Sequence, residues 1–188
     1  MRMIVERTWR RVGIGLSCLL LASTAVAAPS TADHSKFKEL QGPFKNGEEV
    51  TRACLSCHTE AARQVMGTRH WTWEYTNPDT GQTLGKKSML NSFCIGDRSN
   101  EAFCQSCHVG YGWKDEKFDF HAESKVDCLV CHHTGGYRKP AGLAGEVPTE
   151  RTEFPPGSGT FIDPVDLAMV ARHIGKTSTD TCGSCHYN

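Results

Sequence analysis

Four times in this chain a pair of cysteines two residues apart is followed at once by a histidine. The sites are Cys54-Leu55-Ser56-Cys57-His58, Cys104-Gln105-Ser106-Cys107-His108, Cys128-Leu129-Val130-Cys131-His132 and Cys182-Gly183-Ser184-Cys185-His186. On a helical turn, residues i and i+3 share a face, so both thiols can meet the two vinyl groups of one porphyrin. The histidine at i+4 then points at the iron as its proximal ligand. C-x-x-C-H is the signature of that attachment. The motifs therefore predict four covalently attached haem c groups, anchored by the eight cysteines, with His58, His108, His132 and His186 on the irons. Zinc binding by C-x-x-C pairs has no need of a histidine after each pair. With 9 histidines in 188 residues, four such coincidences have a chance probability on the order of 5 × 10⁻⁶. Disulfides across two-residue spacers would be strained, and a thioredoxin-like motif would need a βαβ pattern that is missing. Cys94, between Phe93 and Ile95, reads as a buried inert thiol.

Whether such irons carry electrons or bind a reactant depends on the second axial ligand. An iron with imidazole on both faces is saturated, and an open face can take a substrate. Five histidines remain after the proximal four: His34, His70, His121, His133 and His173. Supply exceeds demand by one, which favours bis-histidine ligation throughout, with His34, His70, His121 and His133 preferred and His173 the alternative. His70 precedes Trp71-Thr72-Trp73, an aromatic run able to wall a haem. His133 directly follows His132, and adjacent side chains on a helix diverge by about 100°, so it can reach only a neighbouring iron. Met66, Met89 and Met169 read as core fillers, and Lys139 as a loop cation.

The elements that must position these residues are sparse. Hydrophobic residues make up 38% of the chain, beside 18 Gly and 8 Pro, which is lean for a self-sufficient core. At roughly 40 residues per haem, the porphyrins are expected to form most of the interior. Helices are expected over 48–66 and over 164–174, the latter with Asp163 as N-cap and Pro164 at N1. A turn is expected at Asn77-Pro78-Asp79-Thr80-Gly81, a long loop over 134–163, and no sheet. The motif spacings of 50, 24 and 54 residues follow no repeat. The shortest brings the second and third motifs close by chain length. The fold class is thus mainly α with extensive loops, a multihaem cytochrome c of low secondary-structure content.

Residues 1–27 read as a signal peptide, with Arg2, Arg7, Arg10 and Arg11, an apolar run Val12–Leu21 and cleavage after Ala27. The run is too short to span a bilayer, and Cys18 leaves with it. Residues 28–188 form the expected tetrahaem domain, periplasmic or extracellular, with no membrane span after cleavage. Lys+Arg and Asp+Glu both number 21. Losing four bases and one acid leaves the mature domain mildly acidic, which argues against nucleic acid as a partner. Redox proteins are the expected partners.

Segments outside the motifs resemble the octahaem tetrathionate reductases, in their N-terminal half. The likeness runs through Asp33-His34-Ser35-Lys36-Phe37, His70-Trp71-Thr72-Trp73, Val109-Gly110-Tyr111-Gly112-Trp113-Lys114-Asp115, Phe118-Asp119-Phe120, Val126-Asp127 and Val165-Asp166-Leu167-Ala168. The resemblance implies a haem-dominated, mainly helical fold, and it supports His34 and His70 as distal ligands. It also implies reduction of sulfur or nitrogen oxyanions at a lysine-ligated haem, for which Lys139 is the candidate. His133 and His173 are additional to the family's pattern, and extra imidazoles favour saturated irons. Three readings follow. The first is a tetrahaem electron carrier, and the second is a small oxyanion reductase with Lys139 at its active haem. The third is a subunit of an oligomer or haem-bearing filament, with His34 donated to a neighbour.

Overall fold

Short helical pieces, each tied to a turn or a haem motif, make up the architecture. The computed structural model describes residues 32–87 and 101–187. Helix α1 is Gly47–Leu55, α2 Ala61–Met66, α3 Arg69–Thr72, α4 Glu101–Cys104, α5 Leu129–His132, α6 Leu167–Arg172 and α7 Thr179–His186. Two antiparallel ladders of two-residue strands accompany them. Strand β1 (Tyr75–Thr76) pairs with β2 (Thr83–Leu84), and β3 (Thr152–Glu153) with β4 (Phe161–Ile162). Mainly helical with extensive loops is thus the observed class.

The expected single helix over 48–66 is two helices. Asn46 starts α1 by accepting from Glu49 N at 3.0 Å, while Glu49 Oε2 reaches back to Lys45 N at 2.7 Å. That is reciprocal capping of the free amides in the first turn. The helix ends at the first motif, where the Ser56 hydroxyl donates to the Ala53 carbonyl at 2.7 Å and competes with the helical ladder. Helix α6 is shorter than 164–174, and its cap is Asp166, which accepts from Met169 N at 2.9 Å; Asp163 does not cap it. The side chain three residues before a free amide captures it.

The turn at 77–81 closes the β1–β2 hairpin. Asp79 N donates to Asn77 Oδ1 at 2.8 Å, and Gly81, at φ +69°, donates to the Asn77 carbonyl at 2.8 Å. The two ladders depart from the expectation of no strands, since two-residue strands carry no readable alternation.

Two side-chain clusters form the interior. One centres on Val50, Tyr111, Leu129, Leu167 and Val170, and the other on Trp71, Trp113, Phe118 and Val126. Val130, inside the third motif, packs against both. The polypeptide thus supplies cores of its own beside any cofactor. Gly47 shows how tightly the first is built, because a Cβ there would lie 2.3 Å from the Tyr111 ring. In an exposed helix, Gly→Ala stabilises by about 1 kcal/mol. Here the sign reverses, and Gly47→Ala should destabilise by about 1–3 kcal/mol through overpacking. Urea unfolding checks it, and a neutral or stabilising result would mean the ring has room to move.

Candidate functional site

Each motif forms the turn its spacing requires. His58 N donates to Cys54 O at 2.9 Å and His132 N to Cys128 O at 3.1 Å. The second motif runs from the end of α4 through a 3₁₀ turn, Gln105–Cys107, with His108 N on Gln105 O at 3.0 Å. The fourth lies inside α7, whose cap pairs Ser178 Oγ with Thr181 N at 3.3 Å and Thr181 Oγ1 with Ser178 N at 3.0 Å. Cys94, Cys18, Met89 and the signal segment fall outside the described residues.

Two of the leftover histidines meet motif histidines. The ring of His34 lies 6.2 Å from that of His58, centroid to centroid, with planes 14° apart. His70 and His186 are 6.1 Å apart at 90°. A metal–imidazole bond is about 2 Å long. Adding about 1 Å from each nitrogen to its ring centre gives roughly 6 Å for two imidazoles sharing one metal ion. His34 stands on a 3₁₀ turn capped by Asp33, which accepts from Ser35 N at 3.1 Å. Hydrogen bonds from Ser35 and Lys36 hold the Asp33 carboxyl down to about 2, so this cap persists across the physiological range.

His132 directs Nδ1 to the Gly175 carbonyl at 2.9 Å, which leaves Nε2 free. A backbone carbonyl on one ring nitrogen is the usual means of orienting the other toward a metal. His108 is disposed differently. It is wholly buried, with Trp113 at 4.8 Å, Trp71 at 5.2 Å, Trp73 at 5.4 Å and Phe118 at 5.7 Å. Burial pulls its pKa down to about 4, so the ring is neutral at pH 7. A carbonyl only accepts, so the nitrogen 2.8 Å from Trp71 O, Nε2, carries the proton. Nδ1 is left without a partner. The aromatic run after His70 therefore encloses His108 and does not wall in His70 itself.

Among the other candidates, His173 is exposed and uses Nδ1 on Met169 O at 2.8 Å. His121 is also exposed, with its backbone N on Asp119 Oδ1 at 2.8 Å. Neither makes a ring contact with a motif histidine among the described residues. Met169 is exposed too, and so does not fill the core. His133 ends α5 with extended backbone (φ −64°, ψ 149°), and its Nδ1 is buried without a partner.

Lys139 is not a solvated loop cation. Its side chain is 1% exposed, and its Nζ donates to the carbonyls of Gly110 (2.9 Å) and His108 and lies 3.4 Å from Asp127 Oδ2. Asp127 also accepts from Tyr111 Oη and Tyr137 Oη, each at 2.8 Å, and from Val130 N at 3.0 Å. Burial, then the Asp127 charge, pushes both phenols well above their ordinary range. Sequence reasoning missed this network. Its only signal was Asp127 immediately before a motif cysteine.

The motifs meet across the fold, including pairs far apart in the chain. The Cys54 and Cys128 thiols lie near each other, Cys128 holding the Cys54 thiol below its ordinary range, and Thr51 Oγ1 donates to Val126 O at 2.6 Å. Helix α5 packs on α7, and Gly175 N donates to His132 O at 2.8 Å. Cys107 lies near Cys185, which holds the Cys107 thiol down to about 6. Contacts thus link the first motif to the third, the third to the fourth and the fourth to the second. The second and third motifs are neighbours as chain length suggested, since Asp127 N, beside the third, donates to Val109 O, beside the second, at 2.9 Å.

Among the described residues no three or more His, Cys, Asp or Glu side chains converge as a metal-ion cluster, which a zinc centre requires. The seven motif cysteines whose side chains are described are free of disulfides. The donor set fits haem at the first, third and fourth motifs as it stands. At the second, His108 fits once its ring leaves the Trp71 carbonyl.

The chain matches no protein-family model and no curated protein. Among solved structures it is similar to the crystal structure of an octaheme cytochrome c from Shewanella oneidensis, with a TM-score of 0.69 and 45% identity. That likeness covers 82% of this chain and 33% of the other. The fold is that of a multihaem cytochrome c. This chain spans about a third of the length of the octaheme protein. A redox role and sparse secondary structure come with the fold. No helix among the described residues is long and apolar enough to cross a membrane.

Proposed function

We propose that the chain is an exported tetrahaem cytochrome c that passes single electrons between redox proteins outside the cytoplasm. When bound, haem c supplies reversible one-electron chemistry at iron. The protein anchors it through Cys54 and Cys57, Cys104 and Cys107, Cys128 and Cys131, and Cys182 and Cys185. His34 with His58, and His70 with His186, would each hold one iron between two imidazoles. The observation that carries this reading is the pair of ring separations, 6.2 and 6.1 Å, that match two imidazoles on one metal ion. His108 and His132 are the proximal ligands of the other two irons.

The inter-motif contacts join the first motif to the third, and the second, third and fourth to one another. Cys57 and His58 of the first motif are exposed, whereas His108 of the second is buried. The exposed first motif suits exchange with a protein partner. The reductase reading requires Lys139 on an iron, yet its Nζ donates to the carbonyls of Gly110 and His108 and lies 3.4 Å from Asp127 Oδ2. That favours the carrier.

The test is mass spectrometry and EPR on the holoprotein. Four added haem masses and ferric signals that are all low-spin are expected. A high-spin population near one haem in four, with turnover of tetrathionate or nitrite, would overturn the carrier reading in favour of the reductase.

A further inference from the structure

The residues that follow the third motif run antiparallel to the segment that leaves α6. His133 forms a β-bridge with Ile174, and Gly175 N donates to His132 O at 2.8 Å. One side chain completes the clamp: Thr134 Oγ1 donates to His173 O at 2.5 Å. Inside it, His132 Nδ1 lies 2.9 Å from Gly175 O. A carbonyl only accepts, so Nδ1 carries the proton. Among the described residues, the other motif histidines have no such acceptor for Nδ1. His108 Nδ1 has no partner, and the rings of His58 and His186 meet only other rings.

The acceptor side of the clamp is anchored. His173 N donates to Val170 O at 3.0 Å, and its ring Nδ1 lies 2.8 Å from Met169 O. Val170 and Leu167, earlier in α6, are packed into the first side-chain cluster. Thr134 itself is exposed, so its hydroxyl acts through the hydrogen bond and not through core packing. Gly175 shows how close the two segments run. A Cβ there would lie 3.0 Å from Thr134 Cγ2, with no other neighbour in reach and no left-handed φ to oppose a side chain.

We propose that Thr134 is a positioning residue that lowers the reduction potential of the haem anchored by Cys128 and Cys131. By holding His173 O it fixes Gly175 O against His132 Nδ1. A proton shared with that carbonyl makes the imidazole a stronger donor through Nε2. A stronger donor favours ferric over ferrous iron, so the potential falls. The inference rests on the tetrahaem carrier reading and deepens it, because it makes one hydroxyl set how readily one of the four haems gives up its electron.

The experiment is a spectroelectrochemical titration of the holoproteins of wild type, Thr134→Val, Thr134→Ser, Gly175→Ala and Gly175→Ala/Thr134→Ser, with haem counted by mass spectrometry. Thr134→Val keeps the shape and loses the hydroxyl. It should raise one midpoint of the four and leave three in place, with all four haems attached. Thr134→Ser keeps the hydroxyl and should titrate as wild type. Gly175→Ala should raise the same midpoint by pushing on the Thr134 methyl, and adding Thr134→Ser, which removes that methyl, should bring it back. The positioning role is overturned if Thr134→Val moves no midpoint, moves all four alike, or is matched by Thr134→Ser; the carrier reading then stands. A wild type without haem on Cys128 and Cys131 overturns the carrier reading and this role together.

Discussion

Asp127→Ala should destabilise the protein by about 3–5 kcal/mol, enough to unfold a domain of ordinary stability near 37 °C. The carboxylate is fully buried, and four groups depend on it: Tyr111 Oη, Tyr137 Oη, Val130 N and, at 3.4 Å, Lys139 Nζ. Truncation leaves an ammonium in a site of 1% exposure with two carbonyls and no counter-charge. An uncompensated buried charge is the costly part, because it keeps its desolvation penalty and loses the attraction that offset it. The orphaned hydroxyls and amide add to the cost. The consequence reaches the haem anchors, since Val130 N lies in the third motif and Lys139 ties that motif to the backbone of His108 and Gly110.

The decisive control is the double variant Asp127→Ala/Lys139→Met. Removing both charges eliminates the unpaired ammonium, so the double should be less destabilised than the single losses summed, with a coupling of about 1–3 kcal/mol. Urea unfolding of the holoproteins reads both numbers. Additive losses would mean the pair does not act as a unit. A single-variant cost below about 1 kcal/mol would mean the charge is solvated on demand.

That network was the least legible part of the molecule, and the reason is physical. A C-x-x-C-H motif is local: five residues set the turn, and nothing distant is needed to read it. The turn at 77–81 is local too, fixed by Asn77 and Gly81. The pairing of His34 with His58 spans a short stretch of chain and could be anticipated as ligation, though not assigned. Asp127, by contrast, gathers Tyr111, Tyr137 and Lys139 from separate loops, none of which carries a period or a spacing rule. The loop 134–163 hid Lys139 because Pro and Gly mark a loop without saying that its cation turns inward. The single helix expected over 48–66 failed for a similar reason. Its apolar pattern continues through the first motif, while the hydrogen bond that interrupts it belongs to one serine hydroxyl. The aromatic run 71–73 was read as serving its sequence neighbour, His70, yet Trp71 and Trp73 close on His108, which only the third dimension brings to them.

Replacing His34 or His70 by alanine should each release one iron in four from six-coordinate to five-coordinate ligation, and the double variant should release two. The expectation rests on the two ring separations and on where each histidine stands. His34 lies on an exposed 3₁₀ turn that packs no buried side chain of its own, so His34→Ala should change the spin state with little loss of stability. Its cap is robust to acid. The Asp33 carboxyl, held at about 2 by Ser35 and Lys36, stays ionised as pH falls through the ordinary carboxylate range and is lost only near its own lowered value. Acid down to pH 3 should therefore not free His34 by melting this turn. His70 sits in α3 beside Trp71, which is 1% exposed and donates Nε1 to Phe120 O at 3.0 Å. His70→Ala should change spin state and also loosen the cage around His108, because Trp71, whose ring packs 5.2 Å from that of His108, is the next residue. Spin quantitation by EPR separates the two: one-quarter high-spin in each single variant, one-half in the double, and a lower melting temperature only where His70 is replaced. Should both single variants stay fully low-spin, the separations near 6 Å would mark neighbouring rings and not a shared iron, and the ligand assignment for those two haems would fall.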